Sequence, residues 1–498
     1  MSIKNLQEIS SLVTNYTKKN RFVEVIEEEE GESKYLQLIR GLGDNSWNSE
    51  DEAIHGIYDK PLGNKTFAML KTRAKERLVN MIFQLDTQKR FKSSYDKAYF
   101  STCKNLLAGS ILLVQNRRNS GEELLELALT SARKHYFTDL SILALRQLRY
   151  FSSYSGSRKS YKKYDDELKK SLLIQQSELY AEELNQELIL EIVKSFSNHE
   201  ELIDKAKKSY RILQSKVREF DTYTLRINMY RVGIRYYDFL NDFRNVIKVA
   251  NECEAYLYSN PHILQKIRLG EMNLQKLSSS LHLRDYKNGS VYAQTCMTLF
   301  NPGTVNWLIF LEYYFLLCLH TKNYEKAGEI YHQVISHSGF INYSPQSKEK
   351  WKIFESFLIY ALPDADKMSR KFNIPKFLNE VPLYSKDKAG YNLSIIIAQT
   401  LLSLKIGDYS KIVERAEALK LYANRYIKKE KNPRSYYFIK MLLVMIQYDF
   451  EAKKTAQIAG KFYEKLKSSQ LGMQSELESL EVIPYDLLWP EILKKLNT

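Results

Sequence analysis

The sequence predicts an all-α protein built from long helical hairpins, and three observations lead there. Apolar residues recur with a spacing near 3.6 over long stretches. Only 18 Gly and 10 Pro punctuate 498 residues, too few for a protein rich in strands and loops. A short polar turn followed by an aromatic residue returns at intervals of about 40 residues.

The clearest unit runs from Trp307 to Gly339. Trp307, Leu308, Leu311, Phe315, Cys318 and Leu319 surround most of a first helix. Ala327, Ile330, Tyr331, Val334 and Ile335 then fall at i, i+3, i+4, i+7 and i+8, the single apolar stripe of a second. Between them, Thr321-Lys322-Asn323-Tyr324 supplies a polar turn and an aromatic anchor, and Ala327 a small residue where two helices cross.

Comparable turns stand at Asn119-Ser120-Gly121, Asn198-His199-Glu200, Asn241-Asp242-Phe243, Arg284-Asp285-Tyr286, Gly407-Asp408-Tyr409 and Tyr448-Asp449-Phe450. From 200 to 324 the steps are 43, 43 and 38 residues; 85 more, about two units, reach 409, and 41 more reach 450. Further turns are therefore expected near 366 and near 160, within the Ser-rich stretch 152–160. A unit of this length holds two helices of about 18 residues. Phe243 with Ala250, Tyr286 with Ala293 and Tyr324 with Ala327 resemble the start of the second helix of tetratricopeptide repeats, although the glycine and proline signals of that consensus are mostly missing. The expected fold is a tetratricopeptide-like α-solenoid of about eight hairpins.

Ahead of the array, one helix and the acidic run 27–30 lead into a three-helix module: Tyr35 to Leu42, a helix capped by Ser49 with Glu52 three residues on, and Lys65 to Asp86. The third helix buries Phe67, Leu70, Ala74, Leu78, Met81, Ile82 and Leu85, and projects Lys71, Arg73, Lys75 and Arg77 elsewhere. Three short helices ending in a basic one suit either a helix-turn-helix that binds nucleic acid or a cap whose cations are simply solvated.

Apolar residues make up 44% of the chain and aromatic ones 12%, with 36 Tyr, enough to keep it folded throughout. The first eight residues carry no signal-peptide core and no uncharged run reaches the length of a membrane span, so a cytoplasmic protein without a membrane partner is expected. The net charge of +15 is unevenly spread. Residues 165–204 hold 11 acidic and 3 basic side chains, whereas 367–440 hold 16 basic and 6 acidic. The basic segment suits an acidic partner or nucleic acid as well as a solvated helix face.

Local catalytic signatures are lacking. No phosphate-binding glycine loop is present, and His199-Glu200-Glu201-Leu202-Ile203 begins like a zinc-protease helix but has Ile203 where the second histidine belongs. Cys103, Cys253, Cys296 and Cys318 show no CxxC spacing and read as free buried thiols. Cys318, His320, His332 and His337 lie close in sequence, but their spacing does not place them on one helix face. No cofactor or metal is expected, and the chain reads as a non-enzyme.

The longest interruption of the array, 372–392, includes Phe377 to Asn392 with the charged loop Lys386-Asp387-Lys388. Loops that escape helix packing often bind something. Lys386 and Lys388 are accordingly taken as candidate partner-binding residues together with Arg370, Lys371 and Lys376, and with Arg425, Lys428, Lys429 and Arg434 if the array folds back here. The plainer reading is a plug between repeats, in which Phe377, Leu378, Val381, Pro382 and Tyr384 fill a gap.

Phe377 to Asn392, Arg434-Ser435-Tyr436-Tyr437-Phe438-Ile439-Lys440-Met441-Leu442 and Glu481-Val482-Ile483-Pro484-Tyr485-Asp486-Leu487-Leu488-Trp489 together resemble a family of bacterial tetratricopeptide-like helical-repeat proteins of similar length with no assigned activity. The resemblance is strongest over about 365–496 and looser over 34–86, and it implies a shared architecture without catalytic residues to carry over. The organisation expected is an N-terminal module or cap at 1–90, a first part of the array at 91–366, a basic second part at 367–480 and a C-terminal capping helix at 481–498. The function expected is a protein interaction scaffold that holds a peptide, helix or partner protein in a helical groove. The alternative is a nucleic-acid-binding regulator using Lys71, Arg73, Lys75 and Arg77 or the 367–440 surface.

Overall fold

A computed structural model describes residues 2–16, 34–58, 64–84, 93–194, 199–363, 368, 371–380, 391–427, 429, 433–469 and 481–496. Every regular element among them is helical. The chain divides into two compact units, Met1–Ala132 and Arg133–Thr498.

The first unit opens with helices Ile3–Tyr16, Lys34–Gly43, Glu50–Ile57 and Asn64–Gln84, whose apolar stripes bury Leu6, Leu38, Leu42, Ala53, Phe67 and Leu78 in one core. The Ser49 hydroxyl accepts from the Glu52 amide at 3.2 Å, and the Glu52 carboxylate accepts from the Asn48 amide at 2.7 Å, so two amides at the helix start are satisfied reciprocally. Helices Ser94–Val114 and Arg118–His135 follow. Here the turn expected at Asn119-Ser120-Gly121 is displaced: the chain turns at Gln115 to Arg117, with Asn116 at φ 58°, and Gly121 lies inside the second helix. Gly121 serves close approach instead. A β-carbon on it would stand 2.7 Å from the Leu113 side chain and 3.1 Å from the Gly109 carbonyl.

The second unit is a succession of antiparallel helix pairs. Thr138–Tyr154 pairs with Arg158–Lys194 across Ser155-Gly156-Ser157, a turn inside the expected Ser-rich stretch. The latter helix runs 37 residues, twice the length foreseen, because no glycine or proline interrupts it. Pairs Tyr223–Phe239 with Phe243–Ser259, Lys266–Leu283 with Tyr286–Leu299, Val305–His320 with Tyr324–Ile335, Tyr391–Lys405 with Tyr409–Tyr426, and Pro433–Gln447 with Ala452–Ser468 follow the expected turns. The further turn expected near 366 falls on 364–367, outside the described residues.

Four of these turns share one geometry. The residue before the cap takes a left-handed conformation: Asn241 at φ 55°, Arg284 at 57°, Lys322 at 58° and Gly407 at 73°. The next residue, Asp242, Asp285, Asn323 or Asp408, donates its amide to the carbonyl five residues back at 2.8–2.9 Å, closing the first helix. Its side-chain oxygen then accepts from the amide three residues on, at 3.2–3.3 Å, opening the second. One Asx residue thus ends one helix and starts the next, which is why this short motif was visible as a repeat.

The centre of the core is the unit read first from the sequence. Trp307, Leu311, Phe315 and Leu319 are buried on the first helix, and Ala327, Ile330, Tyr331 and Val334 on the second. Phe315 stacks on Phe354 of the Pro345–Ala361 helix at 5.0 Å and meets Trp351 edge-on at 5.6 Å. Packing of this kind adds about 1 kcal/mol per pair beyond area burial.

Candidate binding cleft and the basic surfaces

Of the basic residues singled out on 367–440, Lys371, Lys376, Arg425 and Lys429 are exposed, whereas Arg370, Lys386, Lys388 and Lys428 lie outside the described residues. Arg434 is not on a surface. It is 3% exposed, and its guanidinium donates to both Glu481 oxygens at 2.6 and 2.8 Å, to Asp486, and to the Leu466 carbonyl at 2.9 Å. A buried Glu481 demands a partner, and a forked guanidinium satisfies it at two points, which draws Arg434 out of solvent. Both residues sit in motifs that carried the sequence resemblance, so those motifs mark a structural lock.

On the Asn64–Gln84 helix, Arg73 and Lys75 are exposed. Lys71 is half-buried and paired with Glu50, and Arg77 lies 5.9 Å from the Tyr35 ring centroid. Two of the four cations therefore make contacts within their own unit.

The described residues form a more organised polar feature elsewhere. A cleft of about 330 Å³ opens where three helices meet. Arg158–Lys194 contributes Glu182, Asn185 and Gln186; Tyr223–Phe239 contributes Tyr223, Thr224, Asn228 and Arg231; Lys266–Leu283 contributes Arg268. Glu271 fixes two of the cations, accepting from Arg231 at 2.7 Å and from Arg268 at 2.9 and 3.1 Å. Beneath them Arg235 donates to the Asn185 amide oxygen at 2.5 Å, and burial, reinforced by Arg231, lowers its pKa to about 10. Asn228 is tied to the Thr224 carbonyl at 2.9 Å. The Nε of Arg268 is buried without a hydrogen-bond partner.

Such a set can donate to and accept from a peptide backbone through its amides and receive a carboxylate on its guanidiniums. The sequence reading missed it. The available signal was polar residues on otherwise apolar helix faces: Asn185 beside Leu184 and Leu188, and Asn228 between Leu225 and Val232.

The Cys318, His320, His332 and His337 group is dispersed by the fold. Cys318 is buried, and burial raises its thiol to about 12. His320 is 3% exposed and donates Nε2–H to the Glu481 carbonyl at 2.8 Å. His337 packs on Trp307 and accepts from the Gly339 amide at 3.0 Å. Among the described residues no three metal-ligating side chains converge, and no helix is long and apolar enough to cross a membrane.

Fold and cleft define a class: an all-helical protein of successively paired helices with a polar cleft between neighbouring pairs. Comparison with protein-family models, curated proteins and solved structures gave no match.

Proposed function

We propose that this protein is a non-enzymatic interaction scaffold, its hairpins stacked as a tetratricopeptide-like solenoid, and that it holds an extended peptide bearing acidic side chains. The observation that carries the reading is the cleft itself, to which three helices of successive pairs each bring polar groups. Asn185, Gln186 and Asn228 serve the peptide backbone, and Arg231 and Arg268, already oriented by Glu271, serve its carboxylates. Preorganisation of this kind reduces the ordering cost of binding. The cytoplasm is the compartment proposed for it.

The test is selection from a displayed random-peptide library on the full chain and on a variant carrying Gln186→Glu and Thr224→Glu. Both positions are at least partly accessible, so the variant changes the cleft's charge without disturbing the core. The reading expects acidic peptides enriched on the parent and lost on the variant. Equal enrichment on both, or none on either, would overturn it. Retention of nucleic acid with a steep salt dependence would favour the regulator instead.

A further inference from the structure

The long helix Arg158–Lys194 has two apolar sides. One is buried against neighbouring helices through Leu168, Ala181, Leu184 and Leu188. The other faces solvent, where Leu172, Leu173, Leu179 and Tyr180 are 40–58% exposed. A lone exposed leucine is ordinary, but large apolar side chains grouped on one helix face mark an interaction site.

Their order along the chain identifies the occupant. Leu172 and Leu179 lie seven residues apart, as do Leu173 and Tyr180, the spacing that keeps a seam facing a second helix. Gln176, also exposed, stands at the middle of this seam. On either side of it the pattern repeats in mirror order: Leu173 and Leu179 at three residues, Leu172 and Tyr180 at four, Lys169 and Glu183 at seven. Lys169 is 69% exposed while bonded to Asp165 at 2.7 Å. Glu183 is exposed and makes no ion pair among the described residues. A seam that is symmetrical in its apolar groups and opposite in charge at its two ends is complementary to its own inverted copy.

We propose that two copies of this chain pack these helices antiparallel about a two-fold axis at Gln176. Each Leu173 then meets Leu179 of the second copy, and each Leu172 its Tyr180. The two Gln176 amides bond to each other on the axis, a polar pair that fixes the register. Lys169, whose ammonium carries three donors, is shared between its own Asp165 and the second copy's Glu183. Parallel pairing in register would instead set Lys169 against Lys169 and Glu183 against Glu183, which repel. Farther from the axis, Asp165 comes opposite Glu187, but each is already held by cations of its own chain: Asp165 by Arg149 and Lys169 at 2.7 Å, Glu187 by Lys205 at 3.0 Å. The association does not depend on the peptide-binding reading of the polar cleft.

The test is sedimentation equilibrium of the full chain from about 1 to about 100 μM. A seam of about four helical turns is smaller than a standard interface, so a dimer with a dissociation constant on the order of 10 μM is expected. Leu179→Glu should weaken it at least about tenfold. Lys169→Glu and Glu183→Lys should each weaken it about fivefold by opposing like charges, and the two substitutions combined should restore the parent affinity. All three positions are exposed, so circular dichroism should show the parent helix content in every variant. A monomer at every concentration would overturn the proposal and leave this face to another protein. Undiminished dimerisation of Leu179→Glu, or a double variant as weak as the single ones, would overturn it as well.

Discussion

Arg284 and Asp486 meet through two parallel hydrogen bonds, Nη1 to Oδ2 at 2.8 Å and Nη2 to Oδ1 at 2.7 Å, although 202 residues separate them. Arg284 holds the left-handed position of its turn, and Lys322, which holds the same position one hairpin later, reaches Glu491 on the same C-terminal helix. A left-handed conformation costs a residue with a β-carbon about 1 kcal/mol, so glycine is the cheaper choice there and stands at Gly407. Two hairpins place a cation at this position, and both cations reach the last helix. That helix therefore does more than cover the final hairpin: Tyr485 stacks on Phe438 at 4.2 Å, and the Glu481 carbonyl just ahead of it binds His320.

The two arginines that share Asp486 should differ in consequence. Arg434→Ala leaves Glu481 buried without its counter-ion and should lower stability by about 3–5 kcal/mol. Arg284→Ala removes a partly exposed pair and should cost about 1 kcal/mol or less. Chemical denaturation of the two variants checks the ranking.

Acid should loosen this lock in two stages. Burial pushes His320 down to about 4, so below pH 6.5 the unfolded chain takes up a proton that the folded one refuses; stability falls between pH 6.5 and 4, by up to about 3 kcal/mol. Burial pushes the Asp486 carboxyl upward, but hydrogen bonds from Arg284 and Arg434 outweigh it and hold the group at about 2. Its contribution is present above its ordinary value of 3.8 and disappears as pH falls toward 2. Melting curves of the parent and His320→Gln between pH 7 and 4 should converge as the pH falls. Parallel curves would contradict the assignment.

The Asx residue of each turn serves two helices. Asp242→Ala and Asp408→Ala should each cost about 1 kcal/mol, the usual worth of an N-cap side chain. Asp242→Asn and Asp408→Asn should keep most of it, because Asn323 performs the same role. Thermal unfolding distinguishes the pairs.

Gly121→Ala and Gly233→Ala should both destabilise by about 1–3 kcal/mol, despite alanine's better helix propensity. A β-carbon at 233 would lie 2.7 Å from the Tyr210 ring. Gly328→Ala is the control, since nothing lies within 4 Å of its added carbon. It should be neutral or stabilising, with the three melting temperatures as the readout.

Native thiol labelling at pH 8 should modify Cys103 first. Burial raises Cys253, Cys296 and Cys318 to about 12, whereas Cys103 is only half-buried. Fast labelling of more than one thiol before unfolding would contradict this.

Helix content, the hairpin turns and the Ser49 cap were legible because each rests on residues within one turn of each other. The same locality explains the misreading at Gly121. A glycine beside Asn and Ser looks like a turn, but whether it relieves backbone strain or admits a neighbouring helix depends on Leu113 and Gly109, which no short window weighs. Arg434 was misplaced for a related reason: it follows a run of lysines and reads as one more surface cation, while its partner lies 47 residues downstream.

By itself the sequence determined an all-α chain of paired helices, the apolar faces that bury and most positions at which the chain turns back, since helix periodicity and capping are local properties. Tertiary structure alone decided which polar groups converge. It brought Asn185, Asn228 and Arg268 to one cleft and withdrew Arg434 from solvent to neutralise Glu481. Such groupings are fixed by the packing of helices far apart in sequence and by the requirement that buried charge be paired, and no local pattern records either.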